Sequence, residues 1–197
     1  MNIGIYIYEN AEVLDFSGPF EVLSTANRLA NKNWNIFLVG ETDSMVKARG
    51  GFLVQPQYCF NSHPPIDILI VVGGVHTDEV NKTNVISWVA KTALHANKVI
   101  SVCTGAFILA EAGLLDNMTV TTHWEDIADL KKTYPMLNVV DNKRWVREDN
   151  VITSGGISAG IDMSLYLVSQ LENIALAEKT AKQMEYYWQR SPEINRT

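Results

Sequence analysis

The chain has 197 residues, enough for one domain with a sizeable core. Its composition, 47% hydrophobic and 19% charged, is that of a globular protein and excludes a disordered or fibrous chain. A net charge of −6 without any cluster of Lys and Arg argues against a nucleic-acid surface, and no apolar run is long enough to cross a membrane.

The first residues, MNIGIYIYEN, lack a basic leader and a cleavage site, so they read as a first strand rather than a secretory signal. The two cysteines, Cys59 and Cys103, belong to no C-x-x-C pair. Together these features predict a cytoplasmic protein with two free thiols and no structural disulfide.

Residues 3–8 alternate and stop at a polar turn, Glu9-Asn10. The next stretch reads as a loop carrying Asp15 and a Ser17-Gly18-Pro19 turn, then a helix with Phe20, Leu23 and Ala30 on one face. Trp34–Val39 is a second strand, stopped by Gly40. Residues 41–65 hold Gly50, Gly51, Pro56, Pro64 and Pro65 and predict short strands or loops at a sheet edge. Ile66–Val72 is the most clearly buried strand and ends in Gly73-Gly74, where backbone N–H groups suit an anion nest. A helix over Val85–Ala96 is expected to be capped by Asn84.

Val99–Val102 is a short β-branched strand, and Ala106–Ala112 is a helix closed by Gly113. Thr119–Thr121 is strand-like, and Thr122 with Glu125 has the spacing of a capping box opening a helix to Thr133. Asn138–Val140, Trp145–Val146 and Val151–Thr153 are short strands. Ser158 is placed to cap an apolar helix running through Leu171. Ile174, Ala177, Ala181, Met184 and Trp188 form the core stripe of a last helix.

This alternation predicts a single α/β domain over residues 1–197, with a largely parallel sheet covered by helices on both faces. In such sheets ligands bind at the carboxyl ends of strands, near a switch in strand order. Asp15, Gly73-Gly74 and Cys103 each follow a strand, so all three are expected at one edge.

Cys103-Thr104-Gly105 lies between strand and helix, the layout of a cysteine nucleophile elbow. The helix N-terminus is expected to lower the thiol pKa and favour the thiolate. A free cysteine is commonly a small buried hydrophobe; the elbow favours a reactive Cys103, whereas Cys59 in QYCFNS has no such context and reads as inert. Asp15 either starts a turn or, within its apolar frame of Val13, Leu14 and Phe16, acts as an acid/base partner sharing a proton with Cys103. Thr104 either caps the elbow helix with its hydroxyl or joins the site. Gly73 and Gly74 are a tight turn or a source of N–H groups for a substrate. His123 is the one histidine in a suggestive setting, with either a structural hydrogen bond or a place near the site. His63, His76 and His95 lack ligand spacing, and neither a Walker loop nor a G-x-G-x-x-G turn follows a strand, so no metal and no cofactor are expected.

The stretches VLDFSGPFEVL at 13–23, DILIVVGG at 67–74, SVCTGAFILAEAGLLD at 101–116, TVTTHWED at 119–126 and VITSGGISAGIDMSLYLV at 151–168 resemble the ThiJ/PfpI superfamily, a branch of the class I glutamine amidotransferase-like fold. The resemblance is spread over most of the chain and implies a flavodoxin-like sandwich. The pairing of LDFSGP with CTGAFILAEAGLL and TTHW is most similar to the isonitrile hydratase branch, and it also occurs in N-terminal domains of AraC-type regulators. Carried over residue by residue, it implies a catalytic Asp15, Cys103 and Thr104. Other branches have Glu in the first loop or His directly after the cysteine; Asp15 and Thr104 here depart from both. The stretch Gly156-Ile157-Ser158 carries no His, so an amidotransferase triad is absent.

The implied activity is hydration of an isonitrile to an N-substituted formamide, a hydro-lyase reaction on a small molecule by a homodimer. The alternatives are a ligand- or redox-sensing module, or a glyoxalase- or deglycase-like activity on reactive carbonyls. No helix-turn-helix segment follows Trp188, which disfavours direct control of transcription.

Overall fold

The computed structural model describes residues 1–193. Its strands are β1 (Asn2–Tyr6), β2 (Asn35–Gly40), β3 (Val46–Lys47), β4 (Leu53–Val54), β5 (Tyr58–Cys59), β6 (Ile68–Val71), β7 (Lys98–Val102), β8 (Thr119–Val120), β9 (Asn138–Val139), β10 (Trp145–Glu148) and β11 (Val151–Ser154). Its helices are α1 (Val13–Leu29), α2 (Thr83–Ala93), α3 (Gly105–Glu111), α4 (Ile127–Thr133), α5 (Ala159–Leu171) and α6 (Ile174–Gln183).

Seven strands form one sheet in the order β10-β11-β7-β6-β1-β2-β5. Only β10 against β11 is antiparallel; the other five pairings are parallel. Successive strand residues point to opposite faces. Because Ile68, Leu69, Ile70 and Val71 are all buried, both faces of the central sheet are covered, which is why β6 reads as an unbroken apolar run. Helices α1, α5 and α6 pack on one another; α2 and α3 form a separate pair, with α3 against β6 and β7.

Several local expectations are corrected. Asp15 lies in the first turn of α1, not in a loop, and Ser17-Gly18-Pro19 sits inside that helix. Pro19 removes one ladder donor. Gly18 offsets this by letting α1 close on α5: a Cβ there would stand 3.1 Å from Ile161 Cγ1. Tertiary packing here overrides a turn signal. Asn84 does not cap α2, which opens at Thr83; its Nδ2 donates instead to Glu41 Oε1 at 2.6 Å. Thr122 and Glu125 form no capping box, because the Thr122 hydroxyl donates to the Cys103 carbonyl at 2.8 Å. A short 3-10 turn, Trp124–Asp126, precedes α4. Ser158 stands before α5 without making a cap bond. Helix α6 is capped by Asn173, which accepts from the Leu176 N–H, and it ends before Trp188.

Trp188 donates from Nε1 to the Asp162 carbonyl at 3.2 Å. Asp162 is fully buried; its Oδ2 accepts from Arg144 Nε at 2.8 Å and its Oδ1 from the Gln189 N–H at 2.9 Å. Burial raises the Asp162 pKa, and the Gln189 N–H and the Arg144 guanidinium oppose that rise. Arg144→Ala would leave a buried carboxylate with half its support. It is expected to destabilise the fold by about 3–5 kcal/mol in denaturant unfolding; a loss below about 1 kcal/mol contradicts this role.

Candidate active site

From β1 the chain moves outward to β2 and β5, then returns to β6 on the other side of β1. The strand order therefore switches between β1 and β6. Around this point the carboxyl ends of β1, β6, β7 and β11 lie at one edge. The segments that follow them carry Asp15, Gly73-Gly74, Cys103-Thr104 and Gly155-Gly156-Ile157.

Cys103 has φ 56°, left-handed backbone that side chains rarely adopt. Its N–H donates to the Ser154 carbonyl at 3.0 Å and its carbonyl accepts from Thr122. These bonds hold the strained strand-to-helix turn.

Asp15 is fully buried, and its Oδ1 accepts from the Ile157 N–H at 2.9 Å. Ile157 itself has φ 57°, costly for a β-branched residue. Two strained residues thus meet around one carboxylate. Asp15 Oδ2 makes no hydrogen bond of standard geometry. A Cβ on Gly73 would stand 2.6 Å from Cys103 Cβ, 2.7 Å from Thr104 N and 2.8 Å from Asp15 Oδ2, so this glycine marks where the three groups converge.

Burial pushes the Asp15 pKa up to about 6, against the opposing pull of the Ile157 N–H, the Cys103 thiol and the Gly73 N–H. Burial and the adjacent Asp15 charge together push the Cys103 thiol well above its usual range, with the Thr104 N–H opposing. The expected thiolate is therefore corrected: α3 spans only seven residues, and its N-terminus does not outweigh desolvation and a neighbouring carboxylate. Near pH 7 the pair is a neutral thiol beside a carboxylate.

Thr104 does not cap α3 with its hydroxyl. The hydroxyl accepts from the Gly74 N–H at 2.9 Å and donates to the Gly74 carbonyl at 3.0 Å, tying the elbow to the β6 loop. The Gly74 N–H, expected to face a substrate, is thereby occupied. His123 is brought to the sulfur: a Cβ on Gly156 would overlap His123 Nδ1 and stand 2.9 Å from Cys103 Sγ. His123 Nε2 is 3.5 Å from Glu125 Oε2. Cys59 is remote, on edge strand β5, with its sulfur 3.3 Å from Ser62 Oγ.

A cavity of about 310 Å³ opens over Cys103 and Thr104, walled by Glu12, Arg49, His76, His123, Glu125 and Asp126. A larger groove of about 710 Å³ along α6 and residues 185–190 holds none of the predicted site residues. Among the described residues, no group of His, Cys, Asp and Glu is arranged to hold a metal. Sequence reasoning missed Ile157 and His76. The Gly155-Gly156 pair after β11 was the available signal for the first, as a fourth strand end at the same edge. His76, two residues after Gly74, lies 4.1 Å from the Phe107 ring, and burial lowers its pKa.

The model of the DJ-1/PfpI family matches residues 1–170. The isonitrile hydratase of Pseudomonas putida is 32% identical over 187 residues, covering 94% of this chain and 78% of that protein. The transcriptional regulator GbdR of Pseudomonas aeruginosa is 27% identical over 86% of this chain but only 46% of its own length. A solved ThiJ/PfpI family protein from Pseudomonas syringae superimposes with a TM-score of 0.84 at 26% identity, covering 94% of this chain and 74% of that one. With a family match over most of its length and a relative of this identity, the chain belongs to the DJ-1/PfpI family.

Proposed function

We propose that this protein adds water to an isonitrile, giving an N-substituted formamide. The observation that carries this is the pairing of Cys103 with Asp15, a fully buried carboxylate that accepts the Ile157 N–H at 2.9 Å and converges with the cysteine at Gly73. The Asp15 carboxylate takes the S–H proton as the sulfur attacks the terminal carbon, and returns it to that carbon, giving a thioimidate. Asp15 then accepts a proton from water as the oxygen adds to the thioimidate carbon, and passes that proton to the nitrogen. Collapse of the adduct expels the Cys103 sulfur, which regains its proton as the formamide C=O forms. A carboxyl group with a pKa of about 6 is suited to both directions of transfer near neutrality. Thr104 acts by fixing the elbow through Gly74.

The reaction needs no cofactor and no nucleic acid, and a free buried thiol suits a reducing cytoplasm. One hydrophobic core runs through the described residues, and this supports reading them as a single domain. The sensor alternative draws on the regulator relatives. Oxidation to a sulfinate starts from the thiolate, which burial and Asp15 disfavour at Cys103. A panel of alkyl isonitriles, methylglyoxal and small amides tests the assignment: formamide from an isonitrile supports it, and turnover restricted to methylglyoxal or amides overturns it.

The chain is also proposed to pair as a homodimer through Leu14 of α1 and the β3–β4 hairpin, where Phe52 and Leu53 are 53% and 61% exposed. Sedimentation should give twice the monomer mass, and Phe52→Asp with Leu53→Asp should shift it to monomer. A monomeric parent protein contradicts the pairing.

A further inference from the structure

The cavity over Cys103 carries a charge pattern that hydration of a neutral isonitrile does not require. Its walls present Glu12, Glu125 and Asp126 against one guanidinium, Arg49. Arg49 is offset by Glu12, 3.7 Å away. Burial lowers the His76 pKa, and His123 faces Glu125. Asp126 has no ion-pair partner among the described residues, and its negative charge acts on both Cys103 and His76. This acidic wall closes over a nucleophile, Cys103, behind which the Asp15 carboxylate is fully buried.

We propose that the site selects substrates bearing a positive charge, an ammonium or quaternary ammonium group held against Asp126 and Glu125 while the electrophilic carbon lies over Cys103. Carboxylate- and phosphate-bearing analogues are rejected by the same wall. The cavity of about 310 Å³ is at the small end of ligand sites and fits a short chain of roughly ten heavy atoms. The nature of the electrophile rests on the hydratase assignment; the charge preference does not.

The test uses three methanethiosulfonates of similar size, with a 2-aminoethyl, a methyl or a 2-sulfonatoethyl group, on the Cys59→Ser protein. The Cys103 sulfur attacks the sulfenyl sulfur, a disulfide forms, methanesulfinate leaves with the electron pair, and Asp15 accepts the thiol proton. Intact-mass spectrometry gives the rates, and 2-mercaptoethanol is the reference thiol. Each reagent meets the same thiol, so its ionisation cancels in the ratio of cationic to anionic rate.

At low ionic strength that ratio is expected to exceed the reference by about tenfold or more. It should fall several-fold in high salt and in Asp126→Asn with Glu125→Gln. A ratio equal to the reference, an anionic preference, insensitivity to both salt and the paired substitution, or no modification of Cys103 by any reagent overturns the proposal. Because modification needs no turnover, the two readings fail separately. A charge preference without formamide from any isonitrile removes the hydratase assignment alone; formamide without a charge preference removes charge selection alone.

Discussion

Asp15→Asn is expected to lower kcat/KM for an alkyl isonitrile by about a thousandfold, because the variant loses the buried carboxylate placed to move the Cys103 proton. The wild-type kcat/KM should rise with pH through about 6, as Asp15 becomes the carboxylate that accepts this proton. The same group has a stability signature. Its pKa is about 6 in the folded protein and near 3.9 in an unfolded chain. Between those values the native state holds a proton that the unfolded state has lost, so the Asp15 contribution falls as pH rises. Asn does not titrate. The unfolding free energy of the variant, minus that of wild type, should therefore grow by about 2 kcal/mol from about pH 4 to about pH 7 and then level off. Parallel stability curves over that range would show that Asp15 is not held as a raised carboxyl.

Gly73→Ala is expected to disable both fold and site. Its Cβ would press on Cys103 Cβ, Thr104 N and Asp15 Oδ2, all at 2.8 Å or less. Two of these atoms belong to the backbone or to the first side-chain atom of a strained elbow, so relief requires moving the elbow itself. A cost of about 3 kcal/mol or more is expected for such overpacking. The surviving folded fraction should react at Cys103 with small alkylating agents at least tenfold differently from wild type. Wild-type stability and alkylation rate together would contradict the convergence at Gly73.

The parts of this arrangement legible in the sequence were those set by local pattern. Unbroken apolar runs such as Ile68–Val71 announced a parallel sheet, and a cysteine between strand and helix announced the elbow. That in turn put Asp15, Gly73 and Cys103 at one edge, since each follows a parallel strand. Long-range partners were not legible. The Ile157 N–H reaches Asp15 across 142 positions, and nothing local to either residue announces it. Thr122 carried the local pattern of a cap, yet its hydroxyl serves the Cys103 carbonyl. The thiol pKa is not legible in the sequence for the same reason: the helix terminus is visible there, while the burial and carboxylate that outweigh it appear only when the edge assembles.

The most direct measurement is the yield of N-alkylformamide from a small alkyl isonitrile with the wild-type protein and with Cys103→Ala. Formamide is expected from the wild type and only the uncatalysed background from the variant. Unchanged formation by Cys103→Ala, or none by the wild type, would contradict a hydration carried by the thiol–carboxylate pair.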